Sequence, residues 1–189
     1  MKLTGEIVTL EPMASGHIDP LYALADDKLW TWFPNQLNTR EAMAAYVHGA
    51  LAEQEKGTQE PFVVRVNATG ELAGSTRFMN IDRANRRYEI GSTWYGLRHQ
   101  RTGINTECKW LLISHAFENL DAIRVELKTD SLNTPSRNAI RRIGAAEEGT
   151  LRSHMIMPSG RLRDTVYYGI TRADWPAVKE HLQRLLLRT

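Results

Sequence analysis

Residues 99–107, His99-Gln100-Arg101-Thr102-Gly103-Ile104-Asn105-Thr106-Glu107, have the make-up of an anion-binding loop. They follow the aromatic, β-rich run Tyr88–Tyr95 and open a run of helical periodicity from Thr106 to about Asn119. The order is strand, short polar loop with a glycine, helix. Such a loop presents free backbone N–H groups at the positive end of the helix dipole, where a phosphate binds. A plain strand-to-helix turn has the same outline. A second cluster, Trp30, Trp32 and Phe33, puts three aromatics in four residues. It reads as a lid over the core or as one wall of a binding cleft, because aromatic rings give large contact area at small entropy cost. Cys108, the one cysteine, reads as a small core residue rather than a nucleophile. His115 reads as a helix residue; no other histidine stands at a metal-ligand spacing and no His-Glu-x-x-His occurs.

Composition narrows the class. A chain of 189 residues suffices for one good core, so a single domain over 1–189 is expected. Hydrophobic residues at 42% and charged residues at 24% are ordinary for a globular protein. A net charge of +2 supplies no bulk drive towards nucleic acid or membrane. A single cysteine excludes an internal disulfide framework and a multi-cysteine metal site. The first residues lack the apolar core of a signal peptide, and no run approaches the about 18 apolar residues of a membrane span. A cytoplasmic protein is the expectation.

The flanking elements must position the loop. Glu6–Leu10 alternates as a first strand. Ser15 is expected to cap a helix to about Asp26, with Pro20 in its first turns, and Leu29–Pro34 to form a loop. Thr39 caps a second helix to about Lys56, closed by Gly57. Pro61–Val66, Leu72–Ile81 and Tyr88–Tyr95 follow as an antiparallel meander, with Gly74 at a bulge or close backbone approach. After the long helix, Arg124–Asp130 alternates as a strand reached by a parallel crossover. A helix opens at Asn133-Thr134-Pro135-Ser136 and ends at Ile143-Gly144. Glu147–Met157 and Arg161–Ile170 form a hairpin, and an amphipathic helix runs from about Ala173 to Leu187. The pattern predicts a mixed α/β fold: about seven strands, the first four antiparallel, with helices on both faces. An exposed sheet edge or the last helix could pair two subunits into a homodimer.

Gln100-Arg101-Thr102-Gly103-Ile104-Asn105 resembles the Gln/Arg-x-x-Gly-x-Gly/Ala pyrophosphate loop of the GCN5-related N-acetyltransferases, with Asn105 as a departure. Asn133-x-x-Ser136, in a helix ending at Gly144-Ala145, resembles that family's Asn-x-x-Ala/Ser helix, which ends in Gly-Phe. The hairpin Leu151-Arg152-Ser153-His154 to Tyr167-Tyr168 looks like the branch that acetylates the N-termini of ribosomal proteins. The resemblance covers nearly the whole chain.

What the resemblance implies is acetyl transfer from acetyl-coenzyme A, as cosubstrate and without a metal, to a primary amine. Backbone N–H groups near Thr93, Trp94 and Tyr95 would bind the pantetheine arm and polarise the thioester carbonyl. The pyrophosphate would sit on the amides from Arg101 through Thr102, Gly103, Ile104 and Asn105 to Thr106, with the Arg101 side chain adding charge. Asn133 would bond the pantetheine arm. Many relatives carry a tyrosine seven residues after that asparagine; here the position is Ile140, which holds no proton. Ser136 is then the candidate to meet the departing thiolate. Glu89 is the candidate base, acting directly or through water, or else a structural carboxylate facing Arg86 or Arg87. Trp30, Trp32, Phe33, His154 and Asp164 are the candidate acceptor-binding residues; His154 or Asp164 could instead satisfy Arg152. Two other functions fit the same residues. One is acetylation of a small amine such as a drug, polyamine or amino-acid analogue, since fold does not fix substrate. The other is a coenzyme A-binding module without turnover, given Asn105 and Ile140.

Overall fold

The computed structural model describes residues 1–188. One eight-stranded sheet runs through it in the order β1-β2-β3-β4-β5-β6-β8-β7. The strands are β1 (Leu3–Thr4), β2 (Val8–Pro12), β3 (Glu60–Val66), β4 (Leu72–Asp82), β5 (Arg87–Tyr95), β6 (Arg124–Asp130), β7 (Ala146–Ile156) and β8 (Leu162–Thr171). The helices are α1 (Ile18–Tyr22), α2 (Arg40–Glu55), α3 (Ile104–Glu118), α4 (Thr134–Arg142) and α5 (Trp175–Leu186). Every neighbouring pair is antiparallel except β5 and β6, which the α3 crossover joins in parallel. The expected mixed α/β architecture and its antiparallel meander are present, with β1 as an additional short edge strand.

Strand alternation divides the apolar residues between the two faces. In β3, Phe62 and Val64 join the cluster beneath α3 and α5, with Phe78, Leu112, Leu127, Tyr168 and Trp175. Val63, pointing the other way, joins the cluster beneath α1 and α2, with Leu21, Trp30, Met43, Val47 and Trp94. α2 lies over the β3 side of that second face. The same face of β6 and β8 carries polar side chains instead.

The caps explain where the helices start. Thr39 Oγ1 accepts the Ala42 N–H at 3.1 Å, as its position predicts. Ser15 caps nothing; the chain turns through a 3₁₀ segment at Ser15–His17, and His17 Nδ1 accepts the Ala14 N–H at 3.0 Å. The expected helix to Asp26 is therefore only the five residues of α1. Asp26 instead caps a second 3₁₀ turn, Asp27–Trp30, through Lys28 N–H at 2.9 Å, so part of the aromatic segment is helical rather than loop. α3 begins at Ile104, two residues before the expected Thr106. Gly74 is the close approach its strand position suggests: a Cβ there would stand 2.0 Å from the Trp94 carbonyl oxygen.

Candidate active site

A gap in the sheet organises the site. β5 and β6 pair only at Arg87↔Arg124, Tyr88↔Val125 and Glu89↔Glu126. Both strands continue beyond, to Tyr95 and Asp130, without pairing across the gap. The cause lies in β5 and β4. Ser92 takes a left-handed conformation (φ 49°), and the β4–β5 register shifts between Ser75 and Arg77. The bulge turns β5 with β4 and away from β6. Gly91–Tyr95 therefore makes no ladder bonds to β6, the arrangement an extended acyl-carrying ligand would need.

The loop after β5 lies at one end of this gap. A 3₁₀ turn at Leu97–His99 and a left-handed Arg101 (φ 59°) bring the chain into α3. Thr102 Oγ1 donates to the His99 carbonyl at 2.8 Å and fixes the turn. Among the described residues, the N–H groups of Arg101, Gly103, Asn105 and Thr106 have no partner, as expected for an open helix N-terminus. Asn105, where the resembled motif has glycine or alanine, turns back: its Oδ1 accepts the Tyr95 hydroxyl at 3.3 Å. The departure thus braces the loop against β5. Thr106 Oγ1 accepts from Arg142 Nη2 at 2.8 Å, tying the start of α3 to the end of α4.

α4 stands beside the gap. The Asn133 side-chain oxygen accepts the Ser136 N–H at 3.1 Å, so this oxygen caps the helix and only the side-chain NH₂ is left for a ligand. Ser136, three residues on, is half-buried, and its hydroxyl has no partner among the described residues. Ile140 belongs to the core beneath α3, at 7% exposure.

Glu89 is the last residue of β5 to pair with β6, and it is buried at 3% exposure. Its partners are Lys128 Nζ at 3.1 Å and Asn80 Nδ2 at 2.7 Å. The expected partners Arg86 and Arg87 are engaged elsewhere, Arg86 with Asp121 and Arg87 with Asp82 and Glu126. Strand alternation explains the difference: Arg87 and Glu89 share a face, but Lys128 stands just past the last paired position and reaches across the opening gap. The aromatic segment divides. Trp30 is wholly buried, edge-on to Trp94 and Phe33. Trp32 and Phe33 are half-buried and line a cleft of about 200 Å³ with Gln36, Met157, Pro158 and Arg161. The Arg161 guanidinium lies 5.8 Å from the Trp32 ring centroid. A larger hollow of about 570 Å³ lies between Pro20–Asp26 and Gly96–Arg98. His154, on the exposed β7, packs edge-on against Tyr167, and Asp164 accepts the Ser153 N–H at 2.7 Å. Neither satisfies Arg152.

Sequence reasoning missed the polar residues inside α3. Lys109 is 6% exposed, and its Nζ donates to Thr93 Oγ1 at 3.0 Å. Thr93 Oγ1 in turn lies 2.7 Å from Thr76 Oγ1, so the Thr93 side chain faces α3 while its strand borders the gap. Burial pulls the Lys109 ammonium down to about 8. The neighbouring Cys108 thiol is pushed up to about 12 by burial, which suits a core residue and not a nucleophile. Burial also raises the Tyr95 hydroxyl well above its usual range. Glu107 accepts the N–H groups of Glu6, Ile7 and Val8 at 2.9, 2.8 and 2.7 Å. The available signal was two charged residues flanking Cys108, on a helix otherwise rich in apolar residues.

The profile of the acetyltransferase (GNAT) domain matches residues 8–146. A Bacillus subtilis protein named "Putative ribosomal N-acetyltransferase YdaF" is 36% identical over 110 residues, 58% of this chain and 59% of that protein. The chain thus matches less than two thirds of that relative's length. A crystal structure of a GCN5-related N-acetyltransferase from Brucella melitensis superposes with a TM-score of 0.91 at 32% identity, covering 98% of this chain and 85% of that one. Mycobacterium smegmatis RimJ, solved in complex with CoA-disulfide, shares the fold at a TM-score of 0.83 and 24% identity, over 98% of this chain and 93% of that one. With the family profile spanning well over half its length, the chain belongs to the GNAT family of acetyltransferases.

Proposed function

We propose that this GNAT-family chain transfers the acetyl group of acetyl-coenzyme A to a primary amine, and that the amine is the N-terminus of a protein. The observation that carries the reading is the gap beyond Glu89↔Glu126, with the open amides of Arg101, Gly103, Asn105 and Thr106 at one end and the Trp32–Phe33 cleft on the opposite face. Coenzyme A enters from the α3 and α4 side. Its pyrophosphate rests on the free amides, and its thioester reaches the gap. Glu89 takes the proton of the amine, directly or through water, and backbone N–H groups of β5 polarise the carbonyl. Ser136 hydrogen-bonds the departing thiolate from the start of α4. A ribosomal acceptor is the one that the name of the Bacillus subtilis relative gives for that protein, which supports a protein amine here.

The test is thiol release from acetyl-coenzyme A in the presence of short peptides with free N-termini, the same peptides blocked, and small amines. Turnover confined to unblocked peptides is the expected result. Turnover of small amines alone would move the acceptor to that class. No thiol release with any amine would reduce the chain to a coenzyme A-binding module.

A further inference from the structure

The face of the sheet opposite α3 carries a row of charged side chains at the mouth of the gap, most of them buried. Alternation places Arg77 of β4, Glu89 of β5, Lys128 and Asp130 of β6, and Arg163 of β8 on it. Both acids already have cationic partners. Glu89 takes Lys128, and Asp130 takes Arg161. Two guanidinium groups are left over. Arg163 is 6% exposed, and the one bond it makes among the described residues is from Nε to Thr165 Oγ1 at 3.1 Å. Arg77 is 5% exposed; it reaches Gln59 Oε1 at 2.8 Å and the face of the Tyr46 ring, and its Nε and Nη2 are buried without a partner. A buried cation without an ion-pair partner is costly, and neither guanidinium has one; Asp130 and Glu89 act on Arg163 only through space, each already paired elsewhere. Burial already pulls the Arg163 pKa down from its ordinary value.

Resting on the acetyl-transfer reading above, we propose that the acceptor carries a carboxylate within two residues of its reactive amine, and that Arg163 binds this carboxylate beside the Glu89–Lys128 pair. Arg163 is the receptor because its Nη atoms are not sealed in the core, whereas those of Arg77 are capped by Tyr46 and Gln59. The planar fork of Arg163 suits a two-pronged bond to a carboxylate. Arg77 adds unspent positive charge to the same face. A neutral or basic acceptor would leave both guanidinium groups unpaired next to its own ammonium, so the site selects against it.

The experiment compares kcat/KM for matched peptides with glutamate, glutamine or lysine at positions two and three. Free glutamate and glutamine are run alongside, to separate a peptide source of the carboxylate from an amino-acid source. The glutamate peptide should exceed the glutamine peptide by about 10- to 100-fold, the worth of a hydrogen bond between charged groups, and the lysine peptide should be poorest. Arg163→Gln should bring the glutamate-to-glutamine ratio close to one, and Arg163→Lys should keep part of it. Coenzyme A affinity and melting temperature establish that each variant is folded. An equal or reversed ratio in the unmutated protein overturns the proposal, as does a ratio that survives in folded Arg163→Gln. If no acceptor turns over, the acetyl-transfer reading fails by itself. Calorimetric binding of the same peptides to the coenzyme A-loaded protein then decides the inference: tighter binding of the glutamate peptide supports it, and equal binding overturns it.

Discussion

Lys128 Nζ lies 3.1 Å from Glu89 Oε2, and the pair spans the place where β5 and β6 part. The ion pair fixes the carboxylate at the mouth of the gap, where an incoming amine would meet it. Glu89→Gln is isosteric and keeps an oxygen for Lys128, so the fold and coenzyme A binding should persist. Turnover should fall by about 10²–10⁴-fold, the usual worth of general-base assistance. Single-turnover rates with saturating acceptor measure this. A rate within a factor of three of the unmutated protein would return Glu89 to a purely structural role.

Ser136 is one helical turn from Asn133, with a free hydroxyl beside the gap. A serine hydroxyl is a weak acid, so a hydrogen bond to the thiolate is its natural contribution. Ser136→Ala should lower kcat about tenfold with an unchanged coenzyme A Kd. If binding weakens instead and kcat holds, Ser136 serves the cofactor and not the leaving group.

The amides at the start of α3 must be approached closely by the pyrophosphate. Gly103 has an ordinary helical φ of −64°, so a side chain there is tolerated by the backbone and acts through its bulk alone. Gly103→Val should weaken coenzyme A binding at least about tenfold, with little change in thermal stability. Calorimetry on the two proteins checks both parts, and an unchanged Kd would place the pyrophosphate elsewhere.

Lys109 gives a pH signature. Its ammonium loses its proton near 8 in the fold, whereas in the unfolded chain it does so near 10.4. Below pH 8 both states are charged and the burial penalty is present in full. Between these values the unfolded chain binds more protons, so stability rises with pH, by about 2 kcal/mol from pH 7 to 9.5. Lys109→Met removes the titration and should be the more stable protein at pH 7. Urea unfolding of both at the two pH values should show the difference shrinking as pH rises; a constant difference would sink the argument.

Glu107 bonds three consecutive amides, those of Glu6, Ile7 and Val8, and so pins the entry of β2 to α3. Gly5 permits the contact, since a Cβ there would stand 2.5 Å from the Glu107 carboxyl carbon. Glu107→Ala orphans all three donors and should cost about 3 kcal/mol, or about 6–12 °C in melting temperature. Glu107→Gln keeps one acceptor and should fall between. Scanning calorimetry on the three proteins reads the order directly.

Local sequence determined a good deal. Alternation in β3 to β6 and β8 set which side chains face which side, because the strand period is two whatever the partner. The strand–glycine–helix order set where open amides stand, since every helix start leaves its first N–H groups unpaired. Thr39 was legible as a cap because its bond is local, to the amide three residues on. Tertiary structure decided the rest. Glu89 found Lys128 instead of Arg86 or Arg87 because β6, 39 positions on in the chain, lies parallel alongside and then diverges. Trp30 was separated from Trp32 and Phe33 by a 3₁₀ turn that rotates it into the core. Ser15 lost its cap to His17. The lone charges Arg77 and Arg163 carried no spacing signal. Whether a cation is buried and unpaired depends on what packs against it from distant parts of the chain, and no local pattern encodes that.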